Sequence, residues 1–516
     1  MESSSAWRAH HDFIYRGPFC AAMGTVSVPP FRGDQPQSAH RPFGRSRQGE
    51  KRDVVVVARD GWWPSLAAVW TAVAMIAIVP ALLVRATPTP REPAWIGALI
   101  VTTIAGLRYA RLIETGRRRP VEMSFWIFTY VFLGLAPLVQ LRSEQVPDTT
   151  KGADPTLNGP AMLVVVVGIA AFLCGLTLYG LVRRDGAGGS APTSREVDRR
   201  RALLLGVAAL MSAAYYVAAV GPSTLFSTRD NLGQAIAAHW QEPIAAVVAA
   251  GAQMPALVAF IALAKVYQRR RDRVVLALLI LDGAALAVVL NPIANARYTS
   301  GTAALAVAAL FGLLSTPTRF RLVAVSAVAA LVVVFPMLDV FRYSASGELK
   351  SAGPLDSLVS PDYDSFAQIN NTVLYVNREG STNGRQAAGV VLFWVPRKLW
   401  QDKPTDTGIL LADFRGYKFK NLSAPLWCEL YINGTWPALI LGMGALGALA
   451  RREDDRIDAT LRRTRSPGVL ACILPFYLII LLRGSLLQAM SSLLVIVVCG
   501  MFVFHRGEGP ADAQVS

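Results

Sequence analysis

Apolar residues run along this chain in long blocks, not in the short alternations of a soluble fold. Many windows of about 18 or more residues carry almost no charge, which is enough for a helix to cross a bilayer. Twelve such stretches are predicted, near residues 62–84, 93–109, 121–140, 160–182, 202–220, 244–264, 274–291, 298–315, 322–340, 435–450, 467–482 and 485–504. Polar segments punctuate them, and the one at 341–434 is far longer than the rest. The expected fold class is all-α: a polytopic membrane protein of about 12 transmembrane helices with one large loop.

The polar segments alternate in charge. The basic ones are "RYARLIETGRRRP" (108–120), "RRDGAGGSAPTSREVDRRR" (183–201), "KVYQRRRDR" (265–273), "TPTRFR" (316–321) and "RREDDRIDATLRRTR" (451–465). Loops rich in lysine and arginine stay in the cytoplasm, so both termini are expected there and loop 341–434 outside. Residues 1–60 then form a basic cytoplasmic arm, expected to be disordered. Residues 61–504 form the membrane domain, and 505–516 a cytoplasmic tail. The first 60 residues have no apolar h-region, so no secretory signal peptide is expected, and Met23 is a candidate start.

Composition agrees. The chain has 516 residues, 53% hydrophobic and only 17% charged, where a soluble domain carries nearer a quarter. The net charge of +16 raises the question of nucleic acid, but the basic cytoplasmic loops account for it, and no nucleic-acid partner is expected. Cys20, Cys174, Cys428, Cys472 and Cys499 are scattered without ligand spacing. No disulfide framework, metal site or cofactor follows from them.

Several charges fall where the threading makes them unusual. Arg229, Arg297, Arg342, Arg397, Lys403 and Arg483 lie at expected external helix ends, where the positive-inside tendency disfavours them. Singly, each reads as a snorkelling residue. As a set they suit a lipid-linked diphosphate, because a guanidinium fork matches phosphate oxygens. The acids on the same side are Asp362, Asp364, Asp413 and Glu429, and the one external histidine is His239. Asp282 falls mid-span and should face the bundle interior with a partner. The stretch "FWVPRKLWQDKPTDTG" (393–408) combines these themes. The apolar run Ala387–Val395 is too short to span, so it should lie in the interface or re-enter the bundle. Pro396 turns the chain there, and Trp394 and Trp400 suit headgroup depth.

Four pieces occur in order: "PDYDSFAQ" (361–368), "GRQAAGVVLFWVPRKLWQDKPTDTG" (384–408), "ELYINGTWPALILG" (429–442) and "LRGSLLQ" (482–488). Together they resemble the oligosaccharide repeat-unit polymerases, the O-antigen polymerase (Wzy-type) family, over roughly residues 220–504. The resemblance implies a GT-C-like fold in a bacterial inner (plasma) membrane. It also implies an enzyme that transfers a growing glycan from a polyprenyl diphosphate onto another lipid-linked repeat unit at the external face. The implied partners are polyprenyl-diphosphate-linked oligosaccharides, membrane lipid, a flippase and a chain-length regulator.

A diphosphate is a good leaving group that needs charge stabilisation more than protonation, and arginines supply that without metal. The expected diphosphate-binding residues are Arg297, Arg342, Arg397 and Arg483, with Lys403 in support. The acceptor hydroxyl is a poor nucleophile, so a carboxylate should take its proton; Asp364 and Glu429 are the candidates. Three other readings stand beside this one. A ligase that moves finished glycan shares the donor chemistry. A GT-C transferase using polyprenyl-phosphate sugars would want an acidic first external loop, but "RATPTPREP" (85–93) carries one acid, Glu92. A flippase or secondary transporter would more often show two similar halves, and no internal repeat is visible.

Overall fold

The structure, a computed structural model, describes residues 62–90, 92–185, 196–227, 229–240, 244–329 and 354–504. Among these residues the chain is helical with no strand; one isolated bridge pairs Val197 with Phe504. The principal helices are α1 (Trp63–Ala86), α2 (Ala94–Thr115), α3 (Pro120–Ser143), α4 (Asn158–Asp185), α5 (Arg199–Val220), α6 (Arg229–His239), α7 (Ile244–Arg270) and α8 (Arg273–Val289). They continue as α9 (Arg297–Leu310), α10 (Pro317–Ala329), α11 (Ser365–Glu379), α12 (Arg385–Val391), α13 (Thr407–Arg415), α14 (Leu426–Thr464), α15 (Val469–Arg483) and α16 (Leu486–Phe502).

Seven of the described helices, α1–α5, α7 and α14, are long and apolar enough to cross a membrane. This is a polytopic membrane protein. Helices α8, α9, α15 and α16 coincide with four more of the twelve expected stretches but have 17, 14, 15 and 17 residues. At 1.5 Å per residue these reach about 21–26 Å. The remaining stretch, 322–340, is described only as far as residue 329.

Helix α3 is the axis of the packing, with 94% of its apolar window buried. Phe125 of α3 stacks on Phe172 of α4 and faces Trp427 of α14, whose indole donates to the Val165 carbonyl at 3.2 Å. In a membrane, where lipid removes the hydrophobic drive between helices, close backbone approach takes its place. Helices α4 and α14 use glycine for this. A Cβ on Gly175 would lie 1.8 Å from the Gly444 carbonyl oxygen, and one on Gly447 would lie 2.1 Å from that of Phe172.

Helix α14 has 39 residues and is broken. Pro437 has no N–H, and its ring clashes with the carbonyl four residues back. The chain therefore leaves helical geometry at Gly434 and Thr435, where Thr435 takes φ 52°. The carbonyls this frees need donors. The Thr382 amide donates to Ile432 at 2.8 Å and the Gly384 amide to Asn433 at 2.9 Å. The Asn433 side chain completes the repair, accepting from the Ala387 amide and donating to the Glu429 carbonyl.

The two ends of the bundle differ chemically. All five basic segments meet at one of them. Arg118 pairs with Asp458 and donates to the Ser315 carbonyl, Arg321 donates to the Ile113 carbonyl, and Lys265 donates to Ser466. Arg199 pairs with Asp272, and Arg269 with Glu196. The opposite end holds the expected long loop. From residue 354 this segment is a folded layer: a short helix Pro354–Leu358, a 3-10 turn Pro361–Tyr363, α11, α12, α13 and the start of α14. Gln140 of α3 ties it down through the Leu358 and Tyr363 carbonyls, and Asn370 through that of Asp154. Residues 365–374 are all buried, although half of them are polar.

Candidate functional site

Three of the sequence-predicted residues, Asp364, Glu429 and Arg483, gather beneath this layer. Glu429 lies in the first turn of α14 and is 1% exposed. Its Oε2 accepts from the Thr407 hydroxyl at 2.8 Å. Its Oε1 accepts from the Ser485 hydroxyl and the Leu486 amide, both at 3.0 Å. Thr407 opens α13 and Leu486 opens α16, so one carboxylate sits at the positive ends of two helices besides its own. Both of its oxygens are occupied.

Asp364 has a different environment. It precedes α11 and is 2% exposed. Its Oδ2 accepts from the Ser423 amide at 3.0 Å, while Oδ1 has no hydrogen-bond partner among the described residues. Burial pushes its carboxyl above the usual range, and Arg483 and Ser423 pull it back down. The result is a carboxylate with one free oxygen, an elevated proton affinity and a cation nearby, which are the attributes of a general base.

The cation is Arg483, at the end of α15. Its Nη2 lies 3.9 Å from Asp364 Oδ1 and 3.8 Å from Asp362 Oδ1. Nε and Nη2 both donate to the Asp362 carbonyl, at 3.2 and 2.9 Å. The guanidinium lies 4.7 Å from the centre of the Tyr298 ring, a stacking a lysine could not reproduce. Nη1 donates to nothing among the described residues.

A polar seam continues from Asp364 along one face of α11, because residues four apart share a face. Gln368 is fully buried, and neither atom of its amide has a partner among the described residues; the same holds for the Ser365 and Ser423 hydroxyls. Thr372 follows one turn later and meets Cys428, which lies within electrostatic reach of both Asp364 and Glu429.

The other expected residues are elsewhere. Arg397 Nη1 donates to the Lys403 carbonyl at 2.9 Å, and Lys403 Nζ donates to the carbonyls of Phe393 and Val395 at 2.6 and 2.9 Å. Desolvation, then the charge of Arg397, pulls the Lys403 ammonium below its ordinary value. These two cations staple a turn and have no contact with Asp364 or Arg483. Beside them Trp394 and Leu399 are exposed. Arg342 and the side chains of Arg229 and Arg297 lie outside the described residues, though Arg297 adjoins Tyr298 in sequence. Asp413 pairs with Lys420 at the surface, and His239 Nδ1 meets the Ala235 carbonyl at 3.0 Å. Asp282 is buried in α8 with neither oxygen partnered among the described residues.

Tyr298, Thr407, Ser423, Ser485 and Gln368 complete the site and carry no sequence signal. They are ordinary residue types recruited by packing. Among the described residues no group of three histidine, cysteine or acidic side chains could hold a metal ion. A cleft of about 480 Å³ lies between α2 and α4 and another of about 370 Å³ at the basic end; neither is lined by Asp364 or Arg483. The chain matches no protein-family model, and no curated relative or solved structure was found to match it.

Proposed function

We propose that this protein is a membrane glycosyltransferase that polymerises polyprenyl-diphosphate-linked oligosaccharide repeat units into a cell-surface polysaccharide. In this reading it threads about twelve spans of a bacterial plasma membrane in a GT-C-like arrangement. Both termini are cytoplasmic, and the layer of short helices is external. The observation that carries the reading is the pairing of buried Asp364 with partly buried Arg483, at the end away from the basic segments.

The chemistry divides between the two residues. The acceptor sugar hydroxyl attacks the anomeric carbon of the donor glycan, and Asp364 Oδ1 takes the hydroxyl proton. The bond from that carbon to the diphosphate oxygen breaks, and the electron pair leaves with the polyprenyl diphosphate. Arg483 Nη1 faces the developing negative charge and holds it. Glu429 joins α13, α14 and α16 around the pair. Arg397 and Lys403, with Arg297 and Arg342, supply positive charge at headgroup depth for the lipid carriers.

The test uses Asp364→Asn and Arg483→Lys in cells lacking the native copy, with membrane levels of each variant measured. Removing a charged contact made in the transition state costs about 2.7–4 kcal/mol, or roughly a hundred- to a thousand-fold in rate. Both variants should therefore accumulate single repeat units on the lipid carrier. Full-length lipid-linked chains in these cells would instead identify a ligase. Normal polymer from an Asp364→Asn protein present at normal level would refute the assignment.

A further inference from the structure

The cleft at the basic end opens where the end of α7, the α9–α10 turn and the α14–α15 turn meet. Arg319, Arg465, Ser315 and Ser466 line it together with Leu310 and Phe311, and no carboxylate among the described residues lines it. Phe311 is 64% exposed, an apolar side chain at the very end of α9. Arg319 Nη1 is steered by the Gly312 carbonyl and the Ser315 hydroxyl, each at 3.3 Å. Lys265 Nζ donates to Ser466 Oγ from behind, which frees the Ser466 proton for the cleft. Three acids of this end are committed elsewhere: Asp458 to Arg118 and Arg462, Asp272 to Arg199, Glu196 to Arg269.

Arg465 is the most telling residue. It ends α14 with φ 55°, a position that glycine normally fills. Its guanidinium has no hydrogen bond or ion pair among the described residues. The chain thus holds a side chain in unfavourable backbone geometry and aims its charge into a cleft without a counter-ion.

We propose that this cleft binds the phosphate of an anionic phospholipid from the leaflet at the basic end. Arg319 and Arg465 grip the phosphate oxygens, Ser466 adds its hydroxyl, and an acyl chain lies along Phe311, while the Ser315 hydroxyl, spent on the Gly312 carbonyl, holds Arg319 in place. A guanidinium fork matches a phosphate, and basic pockets between spans at this depth suit anionic headgroups. The exposed Phe311 beside the two guanidinium groups favours a lipid over a free phosphate. The site does not depend on the reaction proposed above.

The full-length protein is reconstituted in nanodiscs of phosphatidylcholine with and without phosphatidylglycerol, and retained lipid is counted by native mass spectrometry. Losing one charge-assisted contact should weaken phosphatidylglycerol retention about tenfold in R319Q and in R465G. Glycine suits the backbone of residue 465, so R465G should keep or raise its Tm, which separates lost binding from misfolding. The double variant R111Q/R200Q removes twice the charge of either cleft variant from exposed positions at this end and should retain the lipid. Undiminished retention in both cleft variants overturns the proposal, as does equal loss in the control. Complete displacement of phosphatidylglycerol by inorganic phosphate at constant ionic strength overturns the lipid assignment in favour of a soluble anion.

Discussion

Glu429 distinguishes a base from a staple, and two substitutions there give opposite expectations. Its carboxylate accepts three hydrogen bonds in a site that is 1% exposed. Glu429→Ala strands the Leu486 amide, which cannot rotate to another acceptor, together with two buried hydroxyls, which partly can. At about 1–3 kcal/mol for each buried donor left unpaired, the loss comes to roughly 3–6 kcal/mol. Glu429→Gln keeps Oε1 for Ser485 and Leu486, and the new amide donates to Thr407, whose hydroxyl turns to accept. Only the charge assistance is lost, about 1 kcal/mol. The assay measures thermal unfolding and turnover on the same nanodisc preparations. The alanine variant should be scarce in membranes and melt well below wild type. The glutamine variant should melt close to wild type and keep turnover within about tenfold, since the lost interaction is present before and during reaction. A glutamine variant that melts normally yet loses a hundredfold or more in turnover would show that Glu429, not Asp364, is the base.

Further expectations follow from single features. Burial raises the Asp364 carboxyl, so its basic form appears only as pH rises above the ordinary carboxylate value near 4. Turnover should climb with pH through that raised value, and Asp364→Asn should abolish the limb. The sign for stability is the reverse: ionisation is harder in the folded state, so this residue favours folding below its ordinary value and loses that contribution as pH rises past it. For topology, in a background without the native cysteines, Lys418→Cys should react with an impermeant maleimide in intact cells and Arg456→Cys only after permeabilisation. The reverse pattern would invert the threading. Gly447→Leu drives a side chain into the Phe172 carbonyl and should cost at least about 1–3 kcal/mol; a normal membrane level for that variant would refute the close α4–α14 contact.

How much of this was legible in the sequence depends on which physical quantity carried the signal. The spans were legible because membrane helices must be apolar over a fixed length, and α1–α5 and α7 follow the uncharged blocks closely. The common end was legible because charge alone sorts loops. Helix α11 was not, since Ser365, Gln368, Asn370, Asn371 and Thr372 are buried polar residues in a segment that reads as a solvated loop. The Asn370 and Asn371 amides find distant partners, in Asp154, Asn158 and Tyr417, whereas Ser365 and Gln368 have no side-chain partner among the described residues; no local pattern reveals either arrangement. The same limit separates Arg483 from Arg397. Both read as cations at a membrane end, yet Arg397 donates to the turn it belongs to, whereas Arg483 donates to the Asp362 carbonyl, 121 residues away in the chain, and lies beside the Asp362 and Asp364 carboxylates. Proline gave the one long-range clue. Pro437 forces the break in α14, the break frees two carbonyls, and the loop at Thr382–Gly384 is recruited to cap them. That docking holds the α11–α12 connection against the first turns of α14, where Glu429 sits. A helix defect written into the sequence therefore fixes the layer that encloses Asp364, and filling it with Pro437→Ala should loosen that layer even as it improves the local helix.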